Sequence, residues 1–430
     1  MMPAMYWNLC VTMMEKNNSL KSFFTTKERW ITSSLFCLLF LTCLGSLLRL
    51  KFVFDLPQVD YVKLLDSHSH FAFTGWVGLV LMVLLASNLL DSNLFSKSIY
   101  GVLFFLTVSL ALLMGIAFGS PVLAGLGKYG PYGYIFITYI FAFQFLKDLK
   151  ISTVSPSVRI LAMSAMCCLV LSSIGPITLG YLFETKSPQL VWYKNALFTY
   201  LHLQYNGFFT LSVFALLFHK MDILNYPHKK STLTWFAILL SATIIPSLFL
   251  AYLWTNPSIY IKVIAFSGSV LLGFCFVLFT RFSWKHRTFY YRLPPLVKFL
   301  FATAFIAFGS KTLLQSLTIF SSISDPVFGN RAVIMGFLHL VFLGFVTLFI
   351  LGFLALTEHL NLSKVLTKIG LVIFCLGVIF NETLLGLQGL GNLFIKSSSL
   401  FPPLLLICSI LLFLGALLVF LSRVYHKPNH

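Results

Sequence analysis

A chain of 430 residues that is 58% hydrophobic and only 10% charged, with a mean hydropathy of +0.92, carries more apolar surface than a soluble core can enclose. Its net charge of +18, from 30 Lys and Arg against 12 Asp and Glu, sits in short segments between apolar runs, so it reads as charge flanking membrane spans and excludes a nucleic-acid surface. The eight cysteines form no C-x-x-C pair and seven of them lie inside apolar runs, which excludes a disulfide framework, a zinc module and covalent haem attachment.

About 20 apolar residues cross a bilayer as a helix. Residues 1–30 are polar, show no cleavage signal and read as a cytoplasmic N-terminal segment. The first span, 31–50, ends on Arg49 and Lys51. Spans follow at 68–91, 98–119, 130–147, 156–181, 193–218, 232–254, 259–280, 295–318, 331–357, 364–390 and 401–423. They make one transmembrane domain over 31–424, with a cytoplasmic tail at 425–430. The expected fold is an all-α polytopic bundle of about twelve helices, with no evident repeat. With the N-terminus inside, twenty of the thirty basic residues fall in cytoplasmic segments, so both termini are expected inside a bacterial cytoplasmic (inner) membrane.

In that frame the second, sixth and tenth spans all run inward, and each carries histidine near its outer side. His68 and His70 open the second span in "DSHSHFAFTGW", His202 lies in "YLHLQYNGFF" and His339 in "GFLHLVFLGF". His202 and His339 are each expected roughly 12–14 Å below their helix starts, with His68 and His70 nearer the surface. A lone membrane histidine is often just hydrogen-bonded to a neighbouring helix. Three helices presenting histidine at one side point instead to a metal or a haem, since neutral imidazole ligates both. His68 and His70 point about 200° apart on a helix, so only one of them can face a central cofactor. The deeper His70 is the favoured one. The remaining histidines lie at cytoplasmic helix ends or in tails and read as solvated.

Other polar groups interrupt the spans. Lys311 and Gln315 sit in the ninth, and Asn381 and Glu382 in the eleventh, with Lys311 and Glu382 at roughly the same level. Unpaired charge in lipid is costly, so these two are expected to pair. A functional version sets Lys311 or Arg331 against an anionic group and Glu382 in a proton path. Gln204, Tyr205 and Asn206 add hydrogen-bonding groups next to His202, as support for a ligand or as helix–helix contacts.

Twelve helices with histidines in the second, sixth and tenth resemble subunit I of the haem-copper oxidase superfamily, specifically at "HSHFAFTGW", "YLHLQYNGFF" and "GFLHLVFLGF". The resemblance implies that His68 or His70, together with His339, ligates a haem, of b type, and that His202 is a metal ligand, to copper, beside it. It implies redox or small-gas (nitric oxide or oxygen) handling, with electrons from a donor protein or quinol. The seventh span lacks the family's histidine pair and His339 stands alone on the tenth, so the copper site is incomplete. In this the chain looks closer to the family's divergent twelve-helix members linked to nitric oxide stress than to a respiratory oxidase. Two other readings stay open: a secondary transporter using Lys311, Glu382 and the histidines, and a non-catalytic membrane subunit. The oligomeric state is also open.

Overall fold

In the computed structural model the described residues are 27–117, 123–227, 229–394 and 398–425, and they form helices and no strand. The expectations for residues 1–26, His228 and the tail from His426 to His430 lie outside them. Among the described residues, eleven helices are long and apolar enough to cross a membrane. They are α1 (Lys27–Val53), α2 (Tyr61–Leu89), α3 (Ser98–Ala117), α5 (Pro156–Glu184), α6 (Leu190–Ile223), α7 (Lys230–Thr255), α8 (Ile259–Lys285), α9 (Pro295–Leu317), α10 (Arg331–Leu356), α11 (Val365–Gly389, its helix running on to Phe394) and α12 (Phe401–Val424). The twelfth expected span is also a helix, α4 (Ala124–Leu149). It is long enough to cross, but Lys128, Gln144, Lys147 and Asp148 dilute its hydropathy. The protein is an all-α, multi-pass membrane bundle whose outer surface meets lipid, as bare side chains such as Phe136 and Phe143 require.

Several helices begin earlier than their apolar runs. The clearest case is α2: Asp60 accepts hydrogen bonds from the backbone N–H of Val62 and Lys63, so the helix starts at Tyr61 rather than near His68. The same device starts α10, where Asn330 caps Ala332 and Val333. Measured from these starts, His68 lies ~10 Å and His339 ~12 Å along their helices, an almost common depth. His202 is farther along its own helix, ~18 Å from Leu190, so the expected match with His339 does not hold on this measure.

The helices pack mainly on their chain neighbours, and α12 returns against both α1 and α11, closing the array. Within it, α2, α6 and α10 are drawn inward and meet at one aromatic cluster. Phe73, Phe209 and Phe342, one from each, have ring centroids 4.6 to 6.0 Å apart. Trp76 on α2 then donates to the Thr347 hydroxyl on α10 over 2.9 Å, both side chains being buried. A hydrogen bond there adds register to what is otherwise non-directional packing.

The inner ends of α1, α10 and α12 are tied by one arginine. Arg423 donates to the Glu28 carboxylate, to the His359 carbonyl at 3.1 Å and to the Thr32 hydroxyl at 3.3 Å, and Glu28 also meets His359 Nδ1 at 3.0 Å. Glu28 is half exposed, so its ion pairs are screened and the carbonyl and hydroxyl bonds matter as much. Replacing Arg423 with Ala should lower stability in detergent by roughly 1–2 kcal/mol, read as a lower thermal midpoint. Lysine should recover only part of it, because one ammonium cannot span three acceptors as a guanidinium does. An unchanged midpoint for Arg423→Ala would remove this clasp from the account.

Candidate functional site

The three inner helices share one pattern, His-x-x-aromatic-x-Gly-aromatic. It reads His70-x-x-Phe73-x-Gly75-Trp76 on α2, His202-x-x-Tyr205-x-Gly207-Phe208 on α6 and His339-x-x-Phe342-x-Gly344-Phe345 on α10. In each, the helix loosens into a π-helical stretch just after the histidine: Ala72–Gly78, Leu203–Phe209 and Leu340–Thr347. Such stretches are rare and frequent at functional sites. The glycine serves close approach: at Gly207 a Cβ would sit 2.4 Å from the Cys168 Cβ, so α5 rests on bare backbone there. The expectation of no repeat is thus corrected. The unit recurs every fourth helix, too dispersed to stand out along the chain.

Between α1, α2, α10, α11 and α12 lies a cavity of about 550 Å³, within the ~300–1,000 Å³ of small-molecule and cofactor pockets. Phe73, Trp76, Phe342 and Leu343 make much of its apolar wall. Arg49, Tyr61, Asn330 and Arg331 line it where α1 ends and α2 and α10 begin, the end that the charge bias assigns to the outer face. Arg331 donates to the Tyr61 hydroxyl at 3.2 Å. Arg49 makes no hydrogen bond or ion pair among the described residues.

Two histidines line this cavity, His68 and His339. His70 does not, which corrects the choice of the deeper residue: start position and helix azimuth, not depth, decide which imidazole faces in. His68 fits because α1 offers Gly45, where a Cβ would stand 3.1 Å from His68 Cε1. The Nδ1 of His68 is buried without a hydrogen-bond partner among the described residues. The Nδ1 of His339 lies 2.8 Å from the Met335 carbonyl. A carbonyl only accepts, so that nitrogen carries the proton and Nε2 keeps its lone pair. Metal-bound histidines are commonly held in this way. Two imidazoles, a largely apolar slot and two guanidinium groups at its outer end fit a flat, metal-centred cofactor bearing acidic groups.

His202 belongs to a different cluster. Its Nε2 donates to the Ile244 carbonyl on α7 at 2.8 Å, with Ser247 at 3.3 Å, and its Nδ1 accepts from Asn206 Nδ2 at 3.1 Å. Gln315 on α9 approaches the same nitrogen at 3.4 Å. Lys311, also on α9, donates to Asn206 Oδ1. Its ammonium lies 5.8 Å from the Tyr205 ring centre and 5.5 Å from that of Phe308, without a carboxylate. With both ring nitrogens engaged, His202 is not presented as a metal ligand. Among the described residues no group of three or more His, Cys, Asp or Glu could hold a metal ion. The residues present therefore do not supply a copper site.

Three further expectations change. Lys311 and Glu382 do not pair: Lys311 turns to α6, and Glu382 accepts from its neighbour Asn381 at 3.1 Å. Lys311 is absent from the cavity wall, whereas Arg331 is part of it. Gln204 donates to Ser172 on α5 at 2.9 Å, away from His202, while Asn206, Gln315 and the Tyr205 ring do adjoin that histidine. Arg49 was missed as a site residue because it reads as one more flanking charge. Its place late in α1, on the same side as Arg331, was the available signal. No family model and no curated protein matches the chain.

Proposed function

We propose that this chain is a membrane haem protein for electron transfer, with His68 and His339 as the axial ligands of a b-type haem. The observation that carries the reading is that His68 and His339 line one cavity, with the Nδ1 of His68 unpartnered among the described residues and His339 held by the Met335 carbonyl in the tautomer that leaves Nε2 its lone pair. When bound, the haem supplies a one-electron couple. The protein does the rest. Arg49 and Arg331, which line the outer mouth, would pair with the acidic side groups of the porphyrin. Phe73, Trp76 and Phe342 keep the wall apolar, which limits solvent access and tunes the potential. The Trp76–Thr347 hydrogen bond holds α2 and α10, and with them the two ligands, in register.

The likeness of the three histidine segments to subunit I of the haem-copper oxidase superfamily supports the same assignment. On this reading the protein sits in a bacterial inner membrane, and its electron donor is a quinol or a reduced protein reaching the outer face. The test is a reduced-minus-oxidised visible spectrum of the detergent-purified protein, with haem assay, after expression with ample haem supply. Sharp b-type bands are expected. Absence of haem overturns the reading and returns Lys311 and Glu382 to consideration as transport residues.

A further inference from the structure

Resting on that haem reading, we infer that the chain holds one haem only, six-coordinate, and that the equivalent position beside α6 is built around a lysine ammonium in place of a second cofactor.

The repeat carries the argument. Two residues before the patterned histidine stand His68 on α2, Tyr200 on α6 and Phe337 on α10. This earlier residue faces the neighbouring inner helix. His68 shares the cavity with His339 of α10. Phe337 packs on Tyr205 of α6, with ring centres 5.7 Å apart. Tyr200 packs on Phe73 of α2 at 5.1 Å. Each junction between inner helices thus joins the patterned histidine or its turn from one helix to the earlier residue of the next. Only the α10–α2 junction brings two imidazoles together. The α6–α10 junction offers His202 with a phenylalanine, and the α2–α6 junction His70 with a tyrosine.

The space around His202 is also filled, from α7 and α9. His202, Asn206 and Lys311 are 0–2% exposed, and their hydrogen bonds run from the Ile244 carbonyl on α7 through His202 and Asn206 on α6 to the Lys311 amine on α9. A porphyrin there would break this chain and leave its members without partners in a water-free interior. At the α10–α2 junction both imidazoles would hold the iron on the reading above, which would leave no position open to a diatomic gas.

The experiment measures haem per chain by pyridine haemochromogen on the purified holoprotein and records the reduced spectrum before and after carbon monoxide. One haem per chain and no carbon monoxide shift are expected. Two haems overturn this inference while leaving the haem reading intact; a shifted Soret band overturns it together with the two-histidine ligation, leaving only the presence of haem. No haem overturns both. In His202→Gln, which keeps one donor and one acceptor, the haem-to-protein ratio should stay within about 10% of wild type. Loss of half or all of the haem in that variant overturns the assignment of His202 to a cofactor-free cluster.

Discussion

Alanine at His339 should remove the haem bands from the purified protein, and alanine at His68 should do the same, while His70→Ala keeps them at wild-type intensity. Losing a ligand costs at least as much as losing the outer support of one, which is already ~10–100-fold in metal affinity. The His70 arm is the sharper half, because His68 and His70 are close in sequence and similar in burial, and only the cavity distinguishes them. A second route to the same loss leaves both ligands in place. Gly45→Leu puts a branched side chain where even a Cβ stands 3.1 Å from the His68 ring, so the imidazole must swing away. Cys275→Ala, which lines no part of the cavity, is the control. Full haem in both the His68 and His339 variants would end the bis-histidine assignment. Loss in His70→Ala with retention in His68→Ala would mean that the helix azimuth is misread.

The twelve helices were legible because apolar length is a one-dimensional signal and the bilayer fixes its threshold. The histidines stood out for the same reason: an ionisable group inside such a run is conspicuous. Azimuth was not legible. Lys311 and Glu382 are level along their helices, and that level suggested a pair, but level says nothing of which way a side chain points. Lys311 turns to Asn206, which lies far away in sequence. His68 and His70 pose the same problem on one helix, and its solution sits on α1 at Gly45. Asp60 could have been read, since an aspartate before a helix is a capping signal. Its early start moves His68 from the mouth of α2 to about the same distance along its helix as His339. The repeated His-x-x-aromatic-x-Gly-aromatic unit was present letter by letter. Its meaning depends on the π-helical turns and on the packing of three distant helices, neither of which periodicity reveals.

A double-mutant cycle on Asn206 and Lys311 should show strong non-additivity. Asn206→Leu removes the oxygen acceptor of the buried Lys311 amine and leaves it beside the Tyr205 and Phe308 rings, and a hydrogen bond to a charged group is worth about 1.5–3 kcal/mol. Lys311→Met keeps the length of the side chain but strands Asn206 Oδ1, at about 1–3 kcal/mol. The double variant removes donor and acceptor together, so its cost should fall below the sum of the two by roughly 1–2 kcal/mol. Thermal unfolding in one detergent, followed by tryptophan fluorescence, reads all four corners of the cycle. Haem content should not change in any folded variant, because neither residue lines the cavity. Additive losses would mean that the ammonium finds other partners when Asn206 is gone, and the lysine would then be a tolerated charge rather than the closing member of the network. The aromatic rings make that outcome unfavourable: at 5.5 and 5.8 Å from Nζ they soften the charge but accept no proton donor in line. Among the described residues the Asn206 amide oxygen is the acceptor that Lys311 reaches, and with the Gln315–His202 contact it ties α9 to α6 at this depth, so its loss should be felt in the measured midpoint.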